Sequence, residues 1–230
     1  MQLFFLDSNK NKISLSQEES KHISKVLRKK EGDIINFTNG KGYLFIGKII
    51  SSNPRKTEIE IIDQIEKIKG HNYYLHIAIS PTKNLDRFEW FLEKATEIGI
   101  DEITPIICKN TYRKQIKTDR CIKILQSAIK QSIKYYLPKL NQATEVMDFI
   151  NKDFKEDKYI AHCNNIKKIN LIDEKKVKKS IIMIGPEGDF SNEEIKESCK
   201  MKYKSINLGN SRLRTETAGI VAVNTINNLN

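Results

Sequence analysis

Twice in its last fifty residues the chain runs an apolar strand into a glycine-bearing loop and out into a capped helix. That repeated plan commits this part of the molecule to an open α/β sheet. In the first unit, the apolar run 181–184 leads into Gly185-Pro186-Glu187-Gly188-Asp189-Phe190, and Ser191 with Glu194 forms a capping box that starts the next helix. Two glycines around a proline let backbone approach a ligand closely while holding one shape. The loop falls at the carboxyl end of a strand, where open α/β sheets place ligands. The same residues also suit a tight turn that needs glycine for its own sake. In the second unit, the strand 205–208 leads into Gly209-Asn210-Ser211-Arg212-Leu213-Arg214, and Thr215-Glu216-Thr217-Ala218 opens an apolar helix that continues through Val223. Two arginines beside a glycine at a helix N-terminus suit a phosphate, a carboxylate or a base carbonyl. Neither loop has the spacing of a dinucleotide fingerprint or a P-loop, which excludes those two ligand modes.

Upstream, residues 75–79, 103–107 and 159–162 read as further strands. Between them, Leu85, Phe88, Leu92, Ala95 and Ile98 keep a helical stripe closed by Gly99, and 122–133 reads as a second amphipathic helix. The Lys-rich stretch 167–179 reads as solvated loop. Residues 1–70 follow a different rhythm. Ser16 with Glu19 predicts a capped helix over 17–28, with Ile23, Val26 and Leu27 on its apolar side and Lys21, Lys25, Arg28 and Lys29 on another. That basic side is either a solvated face or an RNA contact. Two strands, 33–38 and 43–50, flank Asn39-Gly40-Lys41-Gly42 as a hairpin, and 57–62 alternates as a third. Two domains are therefore expected, a small β-rich one over 1–70 and an α/β one over 71–230.

The chain carries 40 Lys+Arg against 29 Asp+Glu in 230 residues, a net charge of +11, which points to a polyanionic partner. Its abundance of Lys, Asn and Ile also fits an AT-rich genome, which would account for part of that charge. Cys108, Cys121, Cys163 and Cys199 are too far apart for a zinc knuckle or redox pair, and read as free thiols in a reducing cytoplasm. His22, His71, His76 and His162 lack metal-ligand spacing, so no metal is assigned. The N-terminal patch from Met1 to Asp7 lacks the basic leader and length of a signal peptide, and no window approaches a membrane span. A soluble cytoplasmic protein with no membrane partner is expected. Trp90 falls slightly off its helix stripe, where core or dimer packing competes with stacking on a base.

The two loops, taken together, resemble those of the RsmE-type 16S ribosomal RNA (uridine-N3) methyltransferases of the SPOUT superfamily. The residues that carry the likeness are Ile184-Gly185-Pro186-Glu187-Gly188, Leu208-Gly209 and Leu213-Arg214-Thr215-Glu216-Thr217-Ala218. Lys83, the run Lys94 to Ile100, Pro105, Ala128, Gln131-Ser132 and Pro138 extend it upstream, and His22 with Val26-Leu27-Arg28 extends it into the first domain. The resemblance implies an α/β trefoil-knot (SPOUT) methyltransferase domain behind a small N-terminal PUA-like β-barrel that binds RNA. It implies S-adenosylmethionine as cofactor, held by Ile184, Gly185, Pro186, Glu187, Gly188, Leu208, Gly209, Leu213, Thr217 and Ala218. It also implies a homodimer with active sites at the interface, and 16S rRNA of the small subunit as substrate.

Within that frame Arg214 is expected to stabilise the charge that develops on the uridine carbonyls, with Glu187 or Glu216 orienting it or relaying the N3 proton. The competing reading makes Glu216 a helix-start carboxylate and Glu187 a loop brace. Lys21, Lys25, Arg28, Lys83 and Arg212 are expected to contact RNA. The chain departs from the family pattern at Asp189, where glycine is common, at Ser211 and Arg212, where arginine and isoleucine are usual, and at Lys130 and Lys134. Two other readings keep the fold: methylation of a different RNA, and a cofactor-free RNA-binding module for ribosome assembly.

Overall fold

The computed structural model describes residues 2–6 and 12–230. The chain divides into two compact units, Met1–Gly70 with Ile129–Leu137, and His71–Ala128 with Pro138–Asn230. The expected division 1–70/71–230 omitted the return of 129–137 to the first unit. That segment is tied to the hairpin turn by backbone: Leu137 N–H donates to Gly40 O and Gly42 N–H to Tyr135 O, both at 2.9 Å.

In the first unit, β1 (Leu3–Phe5), β2 (Lys12–Ser14), β3 (Ile34–Thr38), β4 (Tyr43–Ser51) and β5 (Glu58–Glu66) form one sheet in the order β1-β3-β4-β5-β2. The apolar N-terminal patch supplies β1, while its ends, Met1 and Asp7, lie outside the described residues. The predicted hairpin is the antiparallel β3–β4 pair. Alternation puts Ile35, Phe37, Phe45, Ile49 and Ile59 into one buried cluster with Phe4, Leu6 and Ile23. Gly47 is required there, because a Cβ would come within 2.4 Å of Ile59 Cγ2.

The helix expected over 17–28 is shorter and changes pitch. Ser16 Oγ accepts the Glu19 N–H at 3.3 Å, and α1 (Gln17–Lys21) widens into a π-helical stretch, His22–Val26, in which Leu27 N–H reaches back to His22 O. Hydrogen bonds that run to the fifth residue instead of the fourth widen the turn, so Leu27 rather than Val26 follows Ile23 onto the core side. Val26 is accordingly 67% exposed, contrary to the expected apolar side. Lys21, Lys25 and Arg28 are exposed.

In the second unit, β6 (Tyr74–Ile79), α2 (Leu85–Ile98), β7 (Glu102–Ile107), α3 (Thr118–Gln131), β8 (Lys139–Leu140), β9 (Thr144–Glu145), α4 (Val146–Ile150), β10 (Asp157–Ala161), β11 (Ile169–Asn170), β12 (Lys179–Ile184), α5 (Asn192–Lys200), β13 (Lys204–Asn207) and α6 (Thr215–Leu229) follow in order. Seven strands run β11-β13-β10-β12-β6-β7-β8, every pair parallel, with β9 also on β7. Covered on both faces, the central strands are nearly continuous apolar runs. Ala78, Ile160, Ile181 and Met183 share one cluster with Phe149 and Ile195 from α4 and α5. On the other face, α6 packs on α2, β6 and β12. A Cβ on Gly219 would come within 2.6 Å of Phe91 and 3.0 Å of Ile79, so only glycine lets α6 approach this closely. Gly99 caps α2 at φ +145°, as its place at the end of the stripe predicts. Inside the Lys-rich stretch, expected as loop, β11 and a single 3-10 turn, Leu171–Asp173, are formed. No described helix is long and apolar enough to cross a membrane, and all four cysteines are free.

Candidate functional site

Strands β10, β12 and β13 lie side by side, and the segments leaving their carboxyl ends enclose a cleft of about 280 Å³. This is where a parallel sheet presents its backbone to a ligand. The loop after β12 forms one wall. Asp189 N–H closes a turn onto Pro186 O at 2.9 Å, and Gly185 lies so close against the Phe190 ring that a Cβ would meet it at 3.0 Å. Asn110 Nδ2 braces the loop from outside, donating to Gly188 O at 2.9 Å and Asp189 O at 3.0 Å. The helix that follows opens with the predicted capping box in full, Ser191 and Glu194 exchanging both hydrogen bonds.

The segment after β13 forms the opposite wall. Gly209 has φ +133°, a backbone conformation that L side chains rarely adopt. Arg214 is the N-cap of α6, and its side chain is exposed and makes no ion pair among the described residues. The next residue ties the walls together: Thr215 Oγ1 donates to Gly185 O at 3.0 Å, a buried bond between residues thirty apart.

Of the residues expected to hold a cofactor, Ile184, Gly185, Pro186, Glu187, Leu208, Gly209, Leu213 and Ala218 line this cleft, as do Arg212 and Arg214. Gly188 and Thr217 do not; Gly188 faces a second hollow on the far side of the loop, with Lys83, Asn84, Arg87, Asn110, Tyr112 and again Glu187. Glu187 is thus the partition between cleft and hollow. Its Oε1 accepts the Lys83 N–H at 2.9 Å, and Glu216 Oε1 lies 3.8 Å from Arg87 Nε. Neither carboxylate pairs with Arg214, so the expected orienting role is not seen in the side-chain contacts. Lys83 Nζ stands 4.7 Å from the centre of the Tyr112 ring, which is exposed. Lys21, Lys25 and Arg28 belong to the first unit.

Sequence reasoning passed over the third contributor. Ala161, His162 and Cys163, at the carboxyl end of β10, complete the lining. His162 is buried, and burial first, then nearby Lys168, pushes its imidazole below the usual histidine range, with Asp189 acting weakly in the other direction. The available signal was positional, since β10 read as a strand and its end had to open on the same side as the two glycine loops. Asp189, where the sequence pattern leads one to expect glycine, sits at φ +60°, a conformation that glycine adopts freely. Its Oδ1 accepts the Phe190 N–H at 2.8 Å and its Oδ2 the Cys163 N–H at 2.7 Å.

Residues 69–227 match the model of the RNA methyltransferase domain, and residues 15–62 that of the RNA methyltransferase PUA domain. The chain belongs to the RNA methyltransferase family. Among its relatives is the ribosomal RNA small subunit methyltransferase E of Mesomycoplasma hyopneumoniae, 34% identical, with 96% of each chain covered. A probable rRNA-methyltransferase from Porphyromonas gingivalis has the same fold with a TM-score of 0.94 at 33% identity, covering 100% of this chain and 98% of that one. The ribosomal RNA small subunit methyltransferase E of Neisseria gonorrhoeae, solved bound to S-adenosyl methionine, gives a TM-score of 0.83 at 25% identity over 97% and 95% of the two chains. Family membership fixes the architecture: the eight parallel strands and their helices are the α/β trefoil-knot (SPOUT) domain, and the curled five-stranded sheet is the PUA-like domain.

Proposed function

We propose that this protein transfers the methyl group of S-adenosylmethionine to N3 of a uridine in the 16S ribosomal RNA of the small subunit. The observation that carries the reading is the convergence of the 185–188 loop, Leu208-Gly209 and the Leu213-Arg214 segment on one cleft, within a family of RNA methyltransferases. A relative over nearly its whole length is named for small-subunit ribosomal RNA, and a structural relative was solved with S-adenosyl methionine bound.

The cleft suits such a cofactor. It mixes apolar side chains, Ile184, Leu208, Leu213 and Ala218, with loop backbone and with a buried histidine whose ring nitrogens have no partner among the described residues. S-adenosylmethionine supplies a methyl group already activated by its sulfonium, which leaves the protein to align the acceptor and manage one proton. Loss of the N3 proton places negative charge on the two flanking carbonyl oxygens. Arg214, exposed at the cleft and paired with no carboxylate among the described residues, is positioned to receive that charge. Glu187 braces the loop through the Lys83 N–H, and Glu216 holds Arg87 from the buried start of α6.

N3 is concealed in a paired uridine, so the base must be unpaired or flipped on binding. The hollow beyond Glu187 presents Lys83, Arg87 and Tyr112, two cations and an aromatic ring suited to a nucleotide entering from that side. Lys21, Lys25 and Arg28 on the PUA-like unit, with Arg212 at the cleft, supply phosphate contacts in the same reading, and the working form is a cytoplasmic homodimer.

Transfer of tritiated methyl groups to small subunits that lack the modification, followed by mapping of the labelled nucleotide, tests the assignment. Label at a uridine N3 of 16S rRNA is the expected result; label elsewhere, or on another RNA only, overturns it. Arg214→Ala is expected to lower turnover by about 10²- to 10³-fold with unchanged affinity for S-adenosylhomocysteine.

A further inference from the structure

His162 is only 7% exposed, yet neither Nδ1 nor Nε2 has a hydrogen-bond partner among the described residues. Buried imidazoles in folded proteins are almost always hydrogen-bonded, because an unmade bond leaves the full desolvation cost standing. This one lines the cleft, so the missing partner has a place to come from.

The backbone that carries the ring is also held with unusual care. The peptide joining His162 to Cys163 is gripped at both of its polar atoms. Lys168 Nζ donates to the His162 carbonyl at 2.8 Å, and Asp189 Oδ2 accepts the Cys163 N–H at 2.7 Å. A charged side chain on each side of one peptide bond fixes the direction in which the imidazole leaves the chain. Such support is expected where a side chain must meet a ligand in one geometry.

We propose that His162 is a cofactor-binding residue, whose neutral imidazole hydrogen-bonds the adenosine moiety of S-adenosylmethionine at a ribose hydroxyl or an adenine nitrogen. The proposal rests on the methyltransferase reading and names a contact that the loop motifs do not contain. Chemistry selects the adenosine part. Near the sulfonium and the ammonium of the amino-acid end, a ring able to take up a proton would face like charge, whereas ribose hydroxyls and adenine nitrogens match the one donor and one acceptor of neutral imidazole. Burial and Lys168 hold His162 in that neutral form, against the weaker pull of Asp189.

Two opposed readouts test this on the full-length protein. In His162→Phe the ring is replaced by an apolar one of similar shape, which removes two unsatisfied nitrogens, so the cofactor-free protein should melt at the same or a higher temperature. Its affinity for S-adenosylhomocysteine by calorimetry should nevertheless fall about tenfold or more, and the rise in melting temperature on adding that ligand should shrink. His162→Gln, which restores a donor and an acceptor, should recover part of the affinity. The same loss should appear with 5′-methylthioadenosine, which lacks the amino-acid end. Equal affinity of wild type and His162→Phe would overturn the proposal, and so would a loss seen only with S-adenosylhomocysteine. Should His162→Phe fail to fold, His162→Gln and the shift of the wild-type imidazole nitrogen resonances on adding 5′-methylthioadenosine decide instead. Unshifted resonances overturn the contact. A wild-type protein that binds neither ligand overturns the methyltransferase reading itself, a result separable from the others.

Discussion

Asp189 Oδ2 accepts the backbone N–H of Cys163 at 2.7 Å, so the loop after β12 is bolted to the end of β10 across the mouth of the cleft. The residue does this from φ +60°, a conformation glycine occupies freely and other residues at a cost of about 1–2 kcal/mol. Its two carboxylate hydrogen bonds, to Cys163 and to Phe190, offset that cost. Asp189→Gly keeps the turn and loses the bolt, whereas Asp189→Ala loses the bolt and retains the strain. Urea midpoints should therefore rank wild type above Gly and Gly above Ala, with each missing hydrogen bond contributing roughly 0.5–1.5 kcal/mol. An alanine variant more stable than the glycine variant would remove the strain argument.

Thr215 and Gly219 make the corresponding test of α6. Thr215→Val keeps the shape and leaves the buried Gly185 carbonyl unpaired, which is expected to cost about 1–3 kcal/mol and to weaken S-adenosylhomocysteine binding, since Gly185 lines the cleft. Thr215→Ser should restore most of both. Gly219→Ala drives a methyl into Phe91 and Ile79 where α6 packs on α2 and β6, and should cost about 1–3 kcal/mol through overpacking. Chemical denaturation and calorimetry on wild type and the three variants measure both quantities. A Thr215→Val variant with wild-type stability would show the bond to be dispensable.

The glycine loops were readable because their chemistry is local. A strand, a turn that needs glycine and a helix start lie within about a dozen residues of one another, and the Ser191–Glu194 box forms as its spacing requires. His162 was only partly readable: the side of the sheet on which β10 ends follows from its being a parallel strand, but membership of the cleft depends on β10 pairing with both β12 and β13, which brings distant segments together. Val26 was misplaced for a different reason: nothing in 17–28 announces the π turn that shifts Leu27 into its place. The short strands β8 and β9 hold two residues each, too few for any period to declare itself. The return of 129–137 to the first unit escaped because the bonds at its turn, Leu137 N–H to Gly40 O and Gly42 N–H to Tyr135 O, join backbone atoms, and the Thr38 and Tyr136 hydroxyls that add to them also donate to backbone carbonyls, on which sequence is silent.

Acid should unfold the α/β unit through a buried network on β6 and β7. His76 Nε2 and Asn141 both bond Thr104 Oγ1 at 2.7 Å, and Glu102 accepts from Asn141, Tyr74 and Lys139. Burial lowers His76 from 6.5 to about 4, so the folded protein resists a proton that the unfolded chain accepts. Stability from this group is complete above pH 6.5 and is lost as pH falls toward 4, on the order of 3 kcal/mol in all. Glu102 follows at lower pH: burial opposes its charge, but the three hydrogen bonds prevail and hold it at about 2, so its contribution is lost as pH falls from 4.5 toward 2. Melting temperature measured from pH 7 to pH 4 should decline, and His76→Gln should flatten that decline. A wild-type curve flat from pH 7 to pH 4 would exclude the His76 share.

RNA binding separates the hollow's residues by the physics each would use. Under the proposed function, Lys83 and Arg87 meet phosphates, so Lys83→Ala or Arg87→Ala should weaken binding to rRNA and reduce the slope of log K against log salt by roughly 0.7–0.9 for each phosphate no longer neutralised. Tyr112 is 69% exposed, and a base stacked on it would be worth about 1–3 kcal/mol without involving a counterion. Tyr112→Ala should therefore weaken binding by about tenfold and leave the salt slope where it was. Arg87 carries a second signature, because its Nε lies 3.8 Å from Glu216 Oε1. Removing it leaves a buried carboxylate without its cation, so Arg87→Ala should also lose stability, whereas Lys83→Ala and Tyr112→Ala should not. None of the three lines the cleft, and S-adenosylhomocysteine affinity should be unchanged in all. Titrations of a 16S rRNA fragment between low and moderate salt read out the slopes; an unchanged slope in both lysine and arginine variants would take the RNA away from this side of the loop.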